Sequence, residues 1–286
     1  MHVLVATDGS KYGDWELHWV ARLPFVESPQ VTALHVLDLR VIRAPRGTIL
    51  SADGERYLQR EIHHMETRSA KTIKKATEQL ALLKLNGTAC EEQGAVESVI
   101  LKRAPKRGEL LVIGSHGLDA LDRFMLGSVS TNLVQHATCS VLVVKGEAPP
   151  VRRITLATDG SEASAKALAF VLNKFQPTRA TDQNAGVPIH VNVIHVMPLV
   201  QYPRLKKAGD RIVEQSVRKL VEAGFTADPV CRVGRAAEEI MKAASHAHAD
   251  LIVMGTRGLS AIARVLLGSV STRVVQRATG AVLVVR

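Results

Sequence analysis

Short apolar runs bounded by turn residues alternate with longer amphipathic stretches along the chain. In the first half the apolar runs predict five strands, at 2–7, 31–37, 88–93, 109–114 and 140–145. The amphipathic stretches predict helices, at 11–23, 57–85, 95–106 and 129–137. Strands that alternate with helices favour a parallel sheet covered on both faces, with right-handed crossovers. The pattern therefore predicts an α/β fold.

The second half of the chain repeats the first. Its predicted strands lie at 153–158, 189–196, 228–232, 250–255 and 281–285. VLVATDGS at 3–10 is matched by ITLATDGS at 154–161, and 110–145 aligns with 251–286 without a gap, giving 21 identities in 36 positions. Such self-similarity indicates duplication.

A chain of 286 residues suits two domains of about 140 residues each. We expect them at 1–146 and 151–286, joined by the short linker GEAPPV.

The two halves differ in their predicted connections. The segment 38–56 is longer than its counterpart 197–207, and a polar insertion occupies 177–186. A loop that leaves the second strand at its carboxyl end is placed to act as a lid, although a disordered connection explains the same pattern.

The net charge of +10 is shared unevenly. Residues 1–150 hold 18 Lys and Arg against 17 Asp and Glu, whereas 151–286 hold 19 against 10. This asymmetry favours an anionic ligand or partner for the second half, or else a solvated basic surface. Aromatic residues are 3% of the chain and none is interleaved with a basic stripe, which argues against nucleic acid as a partner.

Cysteine usage and hydropathy favour a cytoplasmic protein. Cys90, Cys139 and Cys231 have no metal-like spacing, so we expect reduced, packed thiols. No charged segment followed by an apolar stretch opens the chain, and no apolar run approaches the roughly 18 residues of a membrane span. We therefore expect no membrane association.

One unusual glycine string occurs in each half. In the first half Gly114-Ser115-His116-Gly117 is followed after nine residues by Gly127-Ser128, and in the second Gly255-Thr256-Arg257-Gly258 is followed after nine by Gly268-Ser269. Ligands of open parallel sheets bind beyond the carboxyl ends of the strands, where the strand order reverses. If the fourth strand returns beside the first, that crevice lies between Asp8 and Gly114.

The string has the chemistry of a phosphate site. Its first glycines permit tight turning and a close approach of backbone to an anion. Gly127-Ser128 suits a helix start with Ser128 near the cap, where free amides and the helix dipole attract phosphate oxygens. The string lacks the lysine of a Walker A loop.

Asp8 and Asp159 close the first strand of each half, and their role stays open. Each carboxylate suits an Asx turn or a helix cap. It equally suits acceptance of ribose hydroxyls, or a divalent ion that already carries phosphate oxygens.

These motifs resemble the universal stress protein family, whose nucleotide-binding members share Gly-x2-Gly-x9-Gly-Ser/Thr at this place. The resemblance covers essentially the whole chain and implies a tandem, two-domain member. It implies two doubly wound, open, parallel five-stranded sheets in order 3-2-1-4-5, the adenine-nucleotide-binding α-hydrolase-like fold. It further implies ATP with Mg²⁺ in each crevice and pairing of domains through the fifth strand.

By position, the resemblance assigns Asp8 to the ribose and the backbone of Ala6 and Val36 to the border of the adenine. The residues it assigns to the ribose and phosphates of the first half are Ile113, Gly114, Gly117, Gly127, Ser128, Val129 and Ser130. The matching residues of the second half are Ala157, Asp159, Val196, Met254, Gly255, Gly258, Gly268, Ser269, Val270 and Ser271. Arg257 replaces His116 between the copies, which favours a charge contact with phosphate, or solvent exposure, over catalysis.

Three functions are consistent with the sequence. The first is an ATP-binding stress-response or regulatory module that binds an unidentified protein partner. The second is a slow ATPase or nucleotidyl-transfer enzyme, although no nucleophile beside a base, paired carboxylate motif or metal cluster is present. The third is a chaperone-like interaction protein in which nucleotide is structural.

The last predicted strand of each half raises the question of assembly. SVLVV at 140–144 and AVLVV at 281–285 would both be apolar sheet edges, which proteins normally cover. We expect the two halves to pair through these edges, and a homodimer to form through further surface.

Overall fold

A computed structural model describes residues 1–10, 13–42, 51–115, 126–179, 186–197, 203–256 and 267–286. The strands of the first half are β1 His2–Ala6, β2 Gln30–Leu37, β3 Gly87–Gln93, β4 Leu110–Gly114 and β5 Ser140–Val144. Its helices are α1 Gly13–Arg22, α2 Ala52–Leu82, α3 Val96–Arg103 and α4 Ser128–His136, with a short 3-10 helix at Leu39–Ile42. The alternation of strands and helices confirms the predicted α/β class.

The second half repeats these elements. Its main strands are β6 Arg153–Ala157, β9 His190–Met197, β10 Thr226–Val233, β11 Leu251–Gly255 and β12 Ala281–Val285. Its helices are α5 Glu162–Lys174, α6 Pro203–Glu222, α7 Ala236–His246 and α8 Ser269–Arg277. The sequence did not predict the small ribbon formed by β7 Thr178–Arg179 and β8 Val187–Pro188, which flanks the polar insertion.

Ten of the described strands form one continuous sheet. The order is β3-β2-β1-β4-β5 in the first half and β10-β9-β6-β11-β12 in the second, so each half shows the order 3-2-1-4-5 with parallel neighbours. The halves meet where β5 pairs with β12 in the antiparallel sense, with Leu142 opposite Leu283. The expected pairing of the halves is confirmed, and it fuses two sheets into a single mixed one.

Helices cover both faces of this sheet, and each face has its own apolar core. Side chains alternate along the strands, so Val3 and Val5 enter one core while Leu4 enters the other. Both cores contain residues of both halves. Val151 of the linker is also fully buried. The halves therefore share their hydrophobic cores.

A second contact joins the ends of α1 and α5. Phe25 forms a β-bridge with Phe175, and their ring centroids lie 5.9 Å apart. The Val26 amide donates to the Lys174 carbonyl oxygen at 2.9 Å, and the Gln176 amide donates to the oxygen of Pro24 at 2.7 Å. These backbone bonds fix the two halves at a point away from the β5–β12 ladder.

Reciprocal caps complete the junction between the halves. Lys145, which follows β5, donates to the carbonyl oxygens of Gln276 at 3.3 Å and Ala278 at 2.7 Å, at the end of α8. Arg286, at the equivalent place after β12, donates to the carbonyl oxygen of Val134 in α4. The last carbonyls of a helix carry partial negative charge and attract cations. Each half thus caps the last helix of the other.

The connection after β2 is shorter than the sequence predicted. Helix α2 begins at Ala52, because Ser51 accepts a hydrogen bond from the Gly54 amide at 3.2 Å and caps the helix. Residues 43–50 lie outside the described residues, so the lid interpretation stays a prediction. None of the described helices combines the length and apolarity needed to cross a bilayer.

We predict that Lys145→Met changes how stability depends on pH. Burial lowers the pKa of Lys145 to about 8, whereas an unfolded lysine has a pKa near 10.4. Between these values the folded chain binds fewer protons, so rising pH favours folding, while the neutral amine can still donate to both carbonyls. From pH 7 to pH 10 we expect the free energy of unfolding of the parent to rise by about 1–3 kcal/mol relative to Lys145→Met.

Denaturant unfolding at both pH values measures this difference. The matched control is Lys71→Met, on the exposed face of α2, whose stability difference from the parent should stay constant with pH. A pH-independent difference for Lys145→Met would contradict the role of the buried amine.

Candidate functional site

The motif ATDGS turns the chain at the carboxyl end of the first strand in each half. Gly9 has φ +75° and Gly160 has φ +79°, which lie in the left-handed region that favours glycine. A Cβ on Gly9 would lie 2.2 Å from Oγ1 of Thr72 in α2. The turn therefore requires glycine both for its backbone angle and for the close approach of α2.

The aspartates of this motif shape the turn. Oδ1 of Asp8 accepts from the Ser10 amide at 2.9 Å, and Oδ1 of Asp159 accepts from the Ser161 amide at 3.0 Å. The Asx-turn interpretation is confirmed in both halves. Oδ2 of Asp8 is buried and has no hydrogen-bond partner among the described residues.

Hydrogen bonds hold the two ends of the glycine string together. The Gly127 amide donates to the Ser115 carbonyl oxygen at 2.8 Å, and Oγ of Ser130 donates to the Gly114 carbonyl oxygen at 2.7 Å. In the second half Oγ of Ser271 donates to the Thr256 carbonyl oxygen at 2.8 Å. The hydroxyls of Ser130 and Ser271 therefore lock the turn, instead of being free donors for phosphate.

Helix α4 begins one residue earlier than the sequence suggested. Gly127, and not Ser128, is the N-cap, and Gly268 has the same place in α8. A glycine cap has no side chain, and neither helix has a side-chain cap bond. The first-turn amides at 128–130 then remain as donors at the positive end of the helix dipole, the usual arrangement of an anion site.

A cavity of about 440 Å³ joins these features in the first half, a size typical of small-molecule sites. The predicted residues that line it are Ala6, Asp8, Val36, Ile113, Gly114, Gly127, Ser128, Val129 and Ser130. The sequence missed its other lining residues, Thr7, Glu16, Leu34, His35, Val96, Ile100 and Leu133. Apolar side chains of β2, α3 and α4 thus share one space with the free amides of α4.

Histidines of the second strand in each half support the turn. His35 Nδ1 donates to the Thr7 carbonyl oxygen at 2.9 Å, and His195 Nδ1 donates to that of Thr158 at 2.9 Å. Each histidine therefore holds the residue that precedes the aspartate. Comparing ALHVL at 33–37 with VIHVM at 193–197 could have revealed this shared histidine.

Glu16 of α1 is the unexpected residue of the cavity. It is 4% exposed, and its Oε2 has no hydrogen-bond partner among the described residues. Burial, followed by the charge of Asp8, raises the pKa of Glu16 well above its usual range, and hydrogen bonding to the Gly114 backbone opposes the shift. The repeat places Ala167, also buried, at the equivalent position of the second half.

In the second half the predicted site residues occupy the equivalent elements. Ala157 ends β6, Val196 lies in β9, Met254 lies in β11, and Gly268 to Ser271 begin α8. A Cβ on Gly255 would lie 2.4 Å from the Ala163 carbonyl oxygen, so the approach of α5 explains this glycine. Gly117, Arg257 and Gly258 lie outside the described residues.

The described residues contain no group of three or more His, Cys, Asp or Glu side chains arranged to hold a metal ion. Cys90, Cys139 and Cys231 form no disulfide among the described residues. Burial raises the pKa of Cys139 to about 11, so this thiol is unreactive at neutral pH.

Comparison of the sequence with known proteins identifies the family that it resembles. The sequence model of the Universal stress protein family matches residues 1–145 and again residues 150–286. A universal stress protein of Mycolicibacterium smegmatis is 27% identical over 293 residues, which cover 99% of this chain and 96% of the relative. Universal stress protein YxiE of Bacillus subtilis is 34% identical over 145 residues, which cover 47% of this chain and 98% of YxiE.

A solved structure has the same architecture. The crystal structure of a universal stress protein from Archaeoglobus fulgidus DSM 4304 aligns with a TM-score of 0.70 at 18% identity, covering 100% of this chain and 96% of that one. At 18% identity this structural similarity is evidence for a shared fold alone. The family match over both halves supplies the relationship, and the chain belongs to the universal stress protein family, with two copies of its domain in tandem.

Proposed function

We propose that each domain, 1–146 and 151–286, binds one adenine nucleotide, and that the ligand is ATP with Mg²⁺. The observation that carries the proposal is the uncapped start of α4, which opens into a 440 Å³ cavity with apolar walls. Free amides suit phosphate oxygens, and apolar side chains suit a base. The cavity therefore combines groups that suit the phosphates of a nucleotide with groups that suit its base.

The residues of the first domain fit such a ligand. The base would lie between Ala6 and Val36, and Oδ2 of Asp8 would accept a ribose hydroxyl. The amides of Ser128 and Val129 would bind phosphate oxygens. Bound ATP would supply an anionic phosphate chain, which Mg²⁺ partly neutralises. In the second domain Asp159, Val196 and the first turn of α8 would do the same, with Arg257 on the phosphates.

We propose a regulatory role in which nucleotide occupancy changes the surface presented to a protein partner in the cytoplasm. The alternatives are a slow ATPase and a chaperone-like protein in which nucleotide is structural. Incubation with Mg-ATP tests the ATPase, since enzymes usually turn over at about 1–1,000 per second. Mass spectrometry after denaturation tests whether a nucleotide accompanies the purified protein.

A homodimer is also proposed, through a surface other than β5 and β12. Those two strands already pair with each other. The outer strands of the sheet are β3, which carries Glu91 and Glu92, and β10, which contains Pro229. Charge and proline at an edge disfavour the addition of another strand. We therefore expect a dimer to form through helices.

The uncapped amides give a sharp test of both sites. Ser128→Pro removes one first-turn amide at the position where proline fits a helix best, and Ser269→Pro does the same in the second domain. We expect each variant to lose at least tenfold in ATP affinity at its own site, because a hydrogen bond to a charged group contributes about 1.5–3 kcal/mol. Calorimetry of ATP binding measures stoichiometry and affinity.

Ser128→Ala is the matched control, since it removes the hydroxyl and keeps the amide. It should bind ATP within about threefold of the parent, a difference below 1 kcal/mol. If Ser128→Pro binds two ATP molecules as tightly as the parent does, the assignment of the first site is wrong.

We also expect the second site to bind ATP more tightly than the first, at low ionic strength. Three differences lie outside the described residues: Arg257 replaces His116, Ser260 replaces Asp119 and Ala263 replaces Asp122. Positive charge is gained and carboxylates are lost, which favours anions by about tenfold to a hundredfold. Equal affinities, measured at 20 mM salt in Ser128→Pro and Ser269→Pro, would contradict this expectation.

A further inference from the structure

Glu16 places a second carboxyl group in the wall of the first cavity, beside Asp8. It is 4% exposed, Oε2 has no hydrogen-bond partner among the described residues, and the cavity is lined by both Glu16 and Asp8. Oδ2 of Asp8 is likewise buried without a partner. Two carboxyl groups with unsatisfied oxygens therefore border the space that also contains the uncapped start of α4.

The second domain lacks this pair. Ala167 occupies the position of Glu16, while Asp159 keeps the Asx turn of Asp8. The histidines are shared, since His35 and His195 each donate Nδ1 to the threonine carbonyl oxygen before the aspartate. The two sites thus share the Asx turn and the histidine that supports it. Among these positions they differ in one buried ionisable group, Glu16 in the first half against Ala167 in the second.

We propose that Glu16 determines the ligand specificity of the first site, because its carboxyl group must hold a proton when an anionic ligand occupies the cavity. This inference rests on the proposed nucleotide function. An ionised Glu16 beside ionised Asp8 would place two negative charges next to the phosphates in a poorly hydrated space. A protonated Glu16 removes one charge and can donate a hydrogen bond from its otherwise unpartnered oxygen.

The groups around Glu16 support this assignment. Asp8 follows β1, and its charge, after burial, raises the pKa of Glu16. Asp14, on the same helix, acts in the same direction but pairs with Lys75 of α2 at 2.7 Å. His35 of β2 is the other titratable group of the cavity. The structure places no cation of the described residues against the carboxyl of Glu16.

Linkage gives the sign of the effect. A bound anion stabilises the protonated form of Glu16, so anion binding takes up a proton, and affinity falls as the pH rises through the pKa of free Glu16. If binding raises that pKa by one unit, affinity falls tenfold across the titration. The second site has Ala167 and should not show this component. Titration of ATP itself is common to both sites, but His116 of the first string is replaced by Arg257 in the second, so the effect of Glu16 is isolated by comparing the first site with and without its carboxyl group.

The test compares the sites in the full-length chain. ATP without divalent ions is titrated at pH 5.5, 7.0 and 8.5 into Ser269→Pro, which reports the first site, and into Ser128→Pro, which reports the second. Calorimetric titrations in buffers of different ionisation enthalpy measure the number of protons taken up on binding. Adenosine is the uncharged control ligand.

For the first site we expect about tenfold weaker ATP binding at pH 8.5 than at pH 5.5, relative to the same site in Glu16→Gln, with net proton uptake. Glu16→Ala, which copies the second site, should show the same pH profile as Glu16→Gln, which is a neutral isostere. Adenosine affinity should stay constant with pH in all variants.

Two results would overturn the inference in distinguishable ways. If ATP binds the first site with the same pH profile and proton uptake as in Glu16→Gln, then Glu16 does not set specificity, while the nucleotide function stands. If ATP binds neither site at any pH, the nucleotide function falls and the inference falls with it.

Discussion

The antiparallel ladder between β5 and β12 is the interaction on which the rest of the structure depends. Each strand would otherwise be an apolar edge, with a row of unpaired backbone groups exposed. Their pairing makes each strand an interior member of a ten-stranded sheet, and it lets the core on each face continue across both halves. Lys145 and Arg286 then satisfy helix ends that lie across the junction.

The same junction leaves the carboxyl ends of the inner strands open. In a 3-2-1-4-5 sheet the strand order reverses between the first and fourth strands, and β5 and β12 lie on the far side of the fourth. Joining the halves there covers the edges without covering either crevice. The two halves therefore share one sheet while the junction leaves the crevice of each half uncovered.

Much of this fold follows from local patterns in the sequence. The period of the strands, the turn chemistry of ATDGS and the repeated glycine string predicted the elements and the crevice, because each depends on few neighbouring residues. The residues predicted for the cavity wall came from the resemblance to the family. Contacts between distant residues were less predictable. The resemblance assigned Ser130 to the ribose and phosphates, and the sequence did not predict that its hydroxyl also donates to the Gly114 carbonyl oxygen. Gly255 suggested an approach of phosphate, but the first turn of α5 packs against it.

Glu16 is a residue of the cavity wall that one copy of the repeat could not have predicted. It lies on the apolar side of an amphipathic helix, where a glutamate breaks the pattern, and only the contrast with Ala167 marks it as special. Burying an ionisable group without a partner opposes folding, and a buried, perturbed group in a cavity is typical of functional sites. The framework residues of the two domains, the Asx turns and the strand histidines, are the same. The two copies therefore differ in one buried ionisable group and keep the same supporting framework.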